Sequence, residues 1–285
     1  MNDIAAPTVG LGDRVRQELS LKRVVTGVLI AIAGLATVFS APLFGLLVLV
    51  IGILSSIEFA RLSQRAGAPA SLWVVLPAVS AYLVLTFFGR IERFESGILV
   101  VVVVAAMFAA LAGGIDRFAV RWGMTVLAVL YLGKIGSYLI AIRQIHENGL
   151  AYMLWFVVIV GLTDTMAMLG GLRFGRTPML PRISPNKTWE GAATGFIAAT
   201  AAGTVLAGVP HLGLTWYVGL TFSAGVSVAA LVGDLVESGL KRNAQVKDSG
   251  HLIAGHGGVL DRFDSYLFAA VVGYAVLLWF GHVSG

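Results

Sequence analysis

The 285-residue chain is 58% hydrophobic and 12% charged, with a mean hydropathy of +0.88 and a formal net charge of +5. Ordinary soluble domains carry about 25% charged residues, so this composition excludes one. The absence of cysteine excludes disulfides, thiolate zinc sites and cysteine nucleophiles.

Residues 1–22 mix Asp3, Asp13 and Glu18 with bases, and Leu11, Val15 and Leu19 fall at helical spacing. A short interfacial helix is expected there. Nine apolar spans follow at about 24–39, 42–60, 71–89, 97–114, 124–142, 150–171, 191–209, 214–237 and 263–281. Their apolar runs are continuous rather than alternating, which selects helices over a barrel. The long, partly acidic segment before the first span reads as the flank of a retained anchor, not of a cleaved signal.

Lysine and arginine set the orientation. With the N-terminus inside, 16 of the 20 basic residues fall in inner segments and three, Arg90, Arg93 and Arg143, in outer ones; Lys134 lies within a span. The expectation is an all-α integral membrane protein of about nine transmembrane helices. Its N-terminus is cytoplasmic and its C-terminus is on the outer side. The chain divides into a cytoplasmic segment 1–22, plain spans over 23–145 and a polar-rich region over 146–285. Since the positive charge tracks topology, it indicates membrane lipid rather than nucleic acid as partner.

The longest inner connectors, about 172–190 and 242–262, hold most of the polar residues. Near the inner end of the eighth span, Asp234, Glu237, Ser238 and Lys241 follow i, i+3, i+4, i+7 spacing and share one helix face. Carboxylate and hydroxyl oxygens there suit Mg²⁺, which keeps waters and shares phosphate oxygens. The bland alternative is a solvated helix end with an internal ion pair. Next come Lys247, Asp248, His251, His256, Gly257, Gly258, Asp261, Arg262 and Asp264. Glycines let backbone N–H groups approach phosphate, and the bases supply countercharge. Asp261 and Asp264, three apart at the start of the last span, offer a second metal carboxylate. Alone, Gly257-Gly258 would read as a turn. His251 and His256 lack a cysteine partner, which argues against zinc.

A third cluster, Ser184-Pro-Asn-Lys-Thr-Trp-Glu-Gly191, precedes the seventh span. Ser184, Lys187 and Thr188 could hold phosphate or a headgroup, or the segment could be an interfacial anchor through Trp189. Asp164 sits inside the sixth span, where a carboxylate is functional by default and pairs with a base such as Lys134 or Lys187. Glu58 and Lys134 read as structural ion partners. A transporter for a phosphorylated solute is the reading from another class. It would be marked by broken spans in two related halves, and no such repeat is present.

The order Ser238-x-Leu-Lys-Arg, four residues, Lys247-Asp-Ser-Gly, then His256-Gly-Gly-x-x-Asp261-Arg-x-Asp264 resembles the signature of phosphatidate cytidylyltransferases (CDP-diacylglycerol synthases). The 184–191 segment looks like that family's second landmark, and Asp164-Thr165 with Phe174-Gly175-Arg176 like a third. The resemblance covers 160–265; the N-terminal half matches only as generic spans. Ala254 stands where the family usually has proline, Met168 where it has tyrosine, Leu172 where it has arginine, and Asn186 where lysine is common. Most of these departures fall near the headgroup region, so lipid preference is where deviation is expected.

The resemblance implies conversion of CTP and phosphatidic acid to CDP-diacylglycerol and pyrophosphate. A related lipid phosphate is the alternative substrate. It also implies Mg²⁺ with K⁺ as a second cation, a homodimer, and a bacterial inner membrane with the site facing the cytoplasm. Asp234 and Asp261 become the metal carboxylates and, with Lys241, Asp248 and Asp264, the candidate catalytic residues. Candidate substrate-binding residues are Asp164, Ser184, Lys187, Thr188, Ser238, Arg242, Lys247, His256, Gly257, Gly258 and Arg262.

Overall fold

The computed structural model describes residues 32–209, 211–250 and 257–283. The expectations on residues 1–22, and those on His251, Ala254 and His256, lie outside the described residues. Residues 32–38 are helical, as expected for the end of the first span. Eight helices follow: α1 (Ala41–Arg65), α2 (Leu72–Phe87), α3 (Ile91–Ala112), α4 (Phe118–Arg143), α5 (Gly149–Phe174), α6 (Trp189–Ala207), α7 (Trp216–Asn243) and α8 (Leu260–Trp279). Each coincides with an expected span. Six of them, α1, α3, α4, α5, α7 and α8, are long and apolar enough to cross a membrane. Helix α2 is apolar but shorter, at 16 residues.

Polar residues extend two of the helices beyond their apolar runs. Helix α7 runs to Asn243 and α8 begins at Leu260, so the acidic faces of both lie on regular helix. The connector after α5 differs from expectation. It is not a plain loop but a two-stranded antiparallel hairpin, β1 (Pro178–Leu180) with β2 (Ser184–Thr188). Three- and five-residue strands containing Pro178 and Pro185 leave no alternating pattern to read. A second surprise is a π-helical turn, Val129–Lys134, inside α4. It carries buried Tyr131 between the rings of Phe59 and Phe268, with centroids 6.5 and 5.7 Å away.

Helix α5 packs on α6, α6 on α7, and α7 on α8, while α8 also meets the end of α4. The buried core includes Phe59, Tyr82, Leu132, Phe156, Ile159, Phe222 and Leu260. Trp155 stacks on Phe222 at 4.1 Å and donates its indole N–H to the Gly203 carbonyl at 2.9 Å. By contrast α3 buries only Val102, Ala106 and Ala110. It turns Val100, Val101, Val104 and Phe108 outward, an arrangement suited to hydrocarbon rather than water.

The α5–α6 contact depends on small residues. In lipid, helices associate chiefly through van der Waals packing, which close backbone approach favours. A Cβ on Gly195 would lie 2.6 Å from the Thr163 carbonyl oxygen and 2.9 Å from the Ala167 Cβ. Gly191, one turn earlier, meets the Ala167 carbonyl equally closely. Gly195→Val should therefore force the helices apart, at a cost of about 1–3 kcal/mol. Thermal unfolding in detergent should show a midpoint several degrees lower. An unchanged midpoint would mean that the interface relaxes freely.

Candidate active site

Helix α7 places Asp234, Glu237, Ser238 and Lys241 on one face, as their spacing predicts. Helix α8 brings Asp261 and Asp264 alongside it. The Lys241 ammonium bridges the two helices: it pairs with Glu237 one turn back and with Asp261 Oδ1 at 2.8 Å. Asp261 also accepts the Ser249 N–H, at 2.9 Å on Oδ2, and the Gly258 N–H at 2.7 Å. Charge-assisted bonds of this kind are about twice as strong as neutral ones, so the carboxylate is held in one orientation. Its side chain is 5% exposed.

The glycines of the signature are required here. Gly257 has φ +81°, the left-handed region that favours glycine. A Cβ on Gly258 would collide with Ser249 Oγ and lie 2.5 Å from Glu58 Oε2. The Gly257-Gly258 pair thus lies in irregular backbone packed against the Asp261 and Glu58 carboxylates.

The hairpin joins the site from the other side. Lys187 on β2 pairs with Asp234 Oδ1 at 2.5 Å and donates to Ser238 Oγ at 3.2 Å. Two clusters about 50 residues apart in the chain therefore meet. Thr188 instead caps α6, its hydroxyl accepting the Gly191 N–H at 3.1 Å. Arg242 spends Nε on the Ile183 carbonyl at 3.0 Å and Nη1 on the Val246 carbonyl at 3.1 Å, tying the hairpin tip to the end of α7. Glu190 anchors the same connector by accepting the Arg176 and Thr177 N–H groups, each at 3.1 Å. These backbone donors, Arg176 first, hold its carboxyl down at about 2. Ser184 lies on β2, half-buried, and Asp248, Lys247 and Arg262 are exposed.

Asp164 on α5 accepts a long 3.4 Å contact from the Ser265 hydroxyl of α8. Lys134 is not its partner: Lys134 pairs with Glu95, as an intramembrane base with a structural role. Asp264 is buried and accepts its neighbour's N–H, from Ser265, at 2.7 Å.

Two carboxylates matter more than the sequence indicates. Glu237 is fully buried and pairs with the Lys241 ammonium one turn on. Glu58 on α1 is no ion-pair member among the described residues. It accepts hydrogen bonds from Ser249, Val259 and Leu260. For Glu58 the available signal is that it is a single carboxylate in an apolar helix, which is costly without a purpose; Glu237 shares its helix face with Asp234 and Lys241. No three acidic or histidine side chains converge as a metal cage among the described residues.

The arrangement is a cluster of carboxylates paired with lysines where α7, the start of α8 and the hairpin meet. It suits a polyanion delivered with a cation, and it lies where the three sequence clusters meet. Comparison with known proteins agrees with that chemistry. The model of the "Cytidylyltransferase family" matches residues 21–280. A phosphatidate cytidylyltransferase of Bacillus subtilis is 35% identical over 91% of this chain and 98% of its own length. One from Helicobacter pylori is 36% identical over 73% of this chain and 76% of its own length. The chloroplastic phosphatidate cytidylyltransferase 4 of Arabidopsis thaliana is 34% identical over 67% of this chain and 54% of its own length. The chain belongs to the cytidylyltransferase family.

Proposed function

We propose that the chain transfers the cytidylyl group of CTP to phosphatidic acid, giving CDP-diacylglycerol and pyrophosphate in phospholipid biosynthesis. The observation that carries this reading is that Lys187 pairs with Asp234 and Ser238, and Lys241 with Asp261, along one face of α7, in a chain whose relatives carry that name over most of its length.

The chemistry needs little acid–base help. A phosphate monoester has its second pKa near 6, so the lipid phosphate is already an anionic nucleophile at pH 7. One of its oxygens attacks the α-phosphorus of CTP. The bond from that phosphorus to the β-phosphate bridging oxygen breaks, and the electron pair leaves with pyrophosphate. The barrier is the approach of one anion to another, which fixed positive charge lowers. Lys187 and Lys241, each held by carboxylates, are the bases that would supply it, and Lys247 and Arg262 are exposed nearby in the sequence.

Asp234 and Asp261 are the residues that would hold Mg²⁺, with Ser238 beside the first. The donor set fits: two carboxylates suffice for a cation that takes its other ligands from water and substrate phosphates. Such a cation supplies charge neutralisation of the triphosphate and of the departing pyrophosphate. A second, monovalent cation and a homodimer belong to the same reading. So do nine spans and a site on the cytoplasmic side, supported by the 16 to 3 distribution of bases. CTP then arrives from water, and the lipid enters sideways from the bilayer.

The test is turnover by purified, detergent-solubilised protein given CTP and phosphatidic acid, with and without Mg²⁺. Cation-dependent appearance of both CDP-diacylglycerol and pyrophosphate is expected. Folded protein that makes neither would overturn the reading, and a second lipid phosphate in parallel would locate the true acceptor.

A further inference from the structure

Glu58 lies toward the C-terminal end of α1, 3% exposed, in a helix of otherwise apolar and small buried side chains. Its Oε1 accepts the Val259 N–H at 3.0 Å. Its Oε2 accepts the Leu260 N–H at 2.8 Å and the Ser249 hydroxyl at 3.1 Å. A Cβ on Gly250 would lie 2.5 Å from Oε1, and one on Gly258 the same distance from Oε2. The two glycines are the surface against which this carboxylate rests.

The start of α8 explains the need. The first N–H groups of a helix have no partner within it, and its positive end favours an anion. The capping position is Val259, which has no side-chain acceptor. Glu58 supplies the missing acceptor from 201 residues away in the chain.

The same stretch of backbone also holds Asp261. Of three consecutive N–H groups, Gly258 donates to Asp261, and Val259 and Leu260 donate to Glu58. Ser249 serves both, its N–H going to Asp261 and its hydroxyl to Glu58. Two carboxylates from opposite halves of the molecule thus grip one backbone segment from two sides.

We infer that Glu58 is a positioning residue for the transfer reaction: it fixes the start of α8 and Ser249 so that Asp261 is held in one orientation. This rests on the reading of Asp261 as part of the reacting site. It gives the N-terminal half a direct part in the chemistry, where its sequence offers only membrane spans. Glutamine is the informative replacement. It keeps the shape but turns one acceptor into an NH₂ facing N–H donors.

The experiment measures kcat, KM for CTP and thermal midpoint on full-length Glu58→Gln, Ser249→Ala and the double variant, with Asp261→Asn alongside. Displacement of a reacting group by an ångström costs on the order of 10²-fold, and supporting groups typically about 10–100-fold. Glu58→Gln should lose at least about tenfold in kcat, per folded molecule, with a smaller change in KM. Ser249→Ala removes only a hydroxyl and should lose a few-fold in kcat with its midpoint nearly unchanged. The double variant should be no worse than Glu58→Gln, because both changes release the same segment. Wild-type kcat in folded Glu58→Gln overturns the inference. So does a loss that disappears when activity is counted per folded molecule. Should Glu58→Gln fail to fold, wild-type kcat in Ser249→Ala overturns it instead. An active Asp261→Asn would sink the site reading itself. An inactive Asp261→Asn beside a fully active Glu58→Gln would remove only the positioning role.

Discussion

Asp261→Asn should abolish turnover, by on the order of 10³-fold or more, in protein that still inserts and purifies as folded. The substitution keeps the volume and one carbonyl oxygen but removes the charge. Three groups now aim at that charge: the Lys241 ammonium and the Ser249 and Gly258 N–H groups. An amide can satisfy one or two of them, so local structure largely survives. Charge is what it cannot supply. Without it one of the two proposed cation carboxylates is gone, and the lysine loses a counter-ion beside the triphosphate. Turnover counted against monodisperse protein by gel filtration is the measurement. Normal activity would remove Asp261 from the cation site and leave it a cap for its own loop.

The parts of this molecule that are legible in its sequence are those governed by local period. A run of apolar residues of helical length, and an i, i+3, i+4, i+7 spacing such as Asp234 to Lys241, carry their geometry with them. Helix α7 realises that face as expected. The pairing of Lys187 with Asp234 was within reach only as a list of two polar clusters, because nothing local states that they touch. Glu58 is the sharper case. In sequence it is a lone carboxylate in a membrane span, for which an ionic partner is the natural expectation. In the fold it takes backbone donors that exist only because α8 begins beside it. The hairpin and the π turn escaped for another reason. A strand of three residues and a single widened turn leave the hydropathy pattern almost unchanged. Thr188 and Arg242 read as ligands because they are polar residues in the right segments; the fold also gives them a helix cap and backbone carbonyls to hold, which no local pattern announces.

Lys241→Met should cost both stability and turnover, and its cause can be divided. The ammonium lies between Glu237, fully buried, and Asp261, nearly so. Removing one partner of a buried ion pair leaves uncompensated charge and typically costs about 3–5 kcal/mol. For a chain of this size that is on the order of 10 °C in thermal midpoint. Turnover should also fall, because the same ammonium is a candidate partner for the triphosphate. These two losses respond differently to a second change. Glu237→Gln in the Lys241→Met background neutralises the carboxylate left without its cation, so the midpoint should recover much of the loss. Turnover should not recover, since the positive charge beside Asp261 is still missing. Detergent melting curves and CTP kinetics on the single and double variants make the comparison. Recovery of both would assign Lys241 a purely structural place and move the triphosphate's contacts to Lys187 and the exposed bases. Recovery of neither would mean that Asp261, not Glu237, is the carboxylate this lysine chiefly balances.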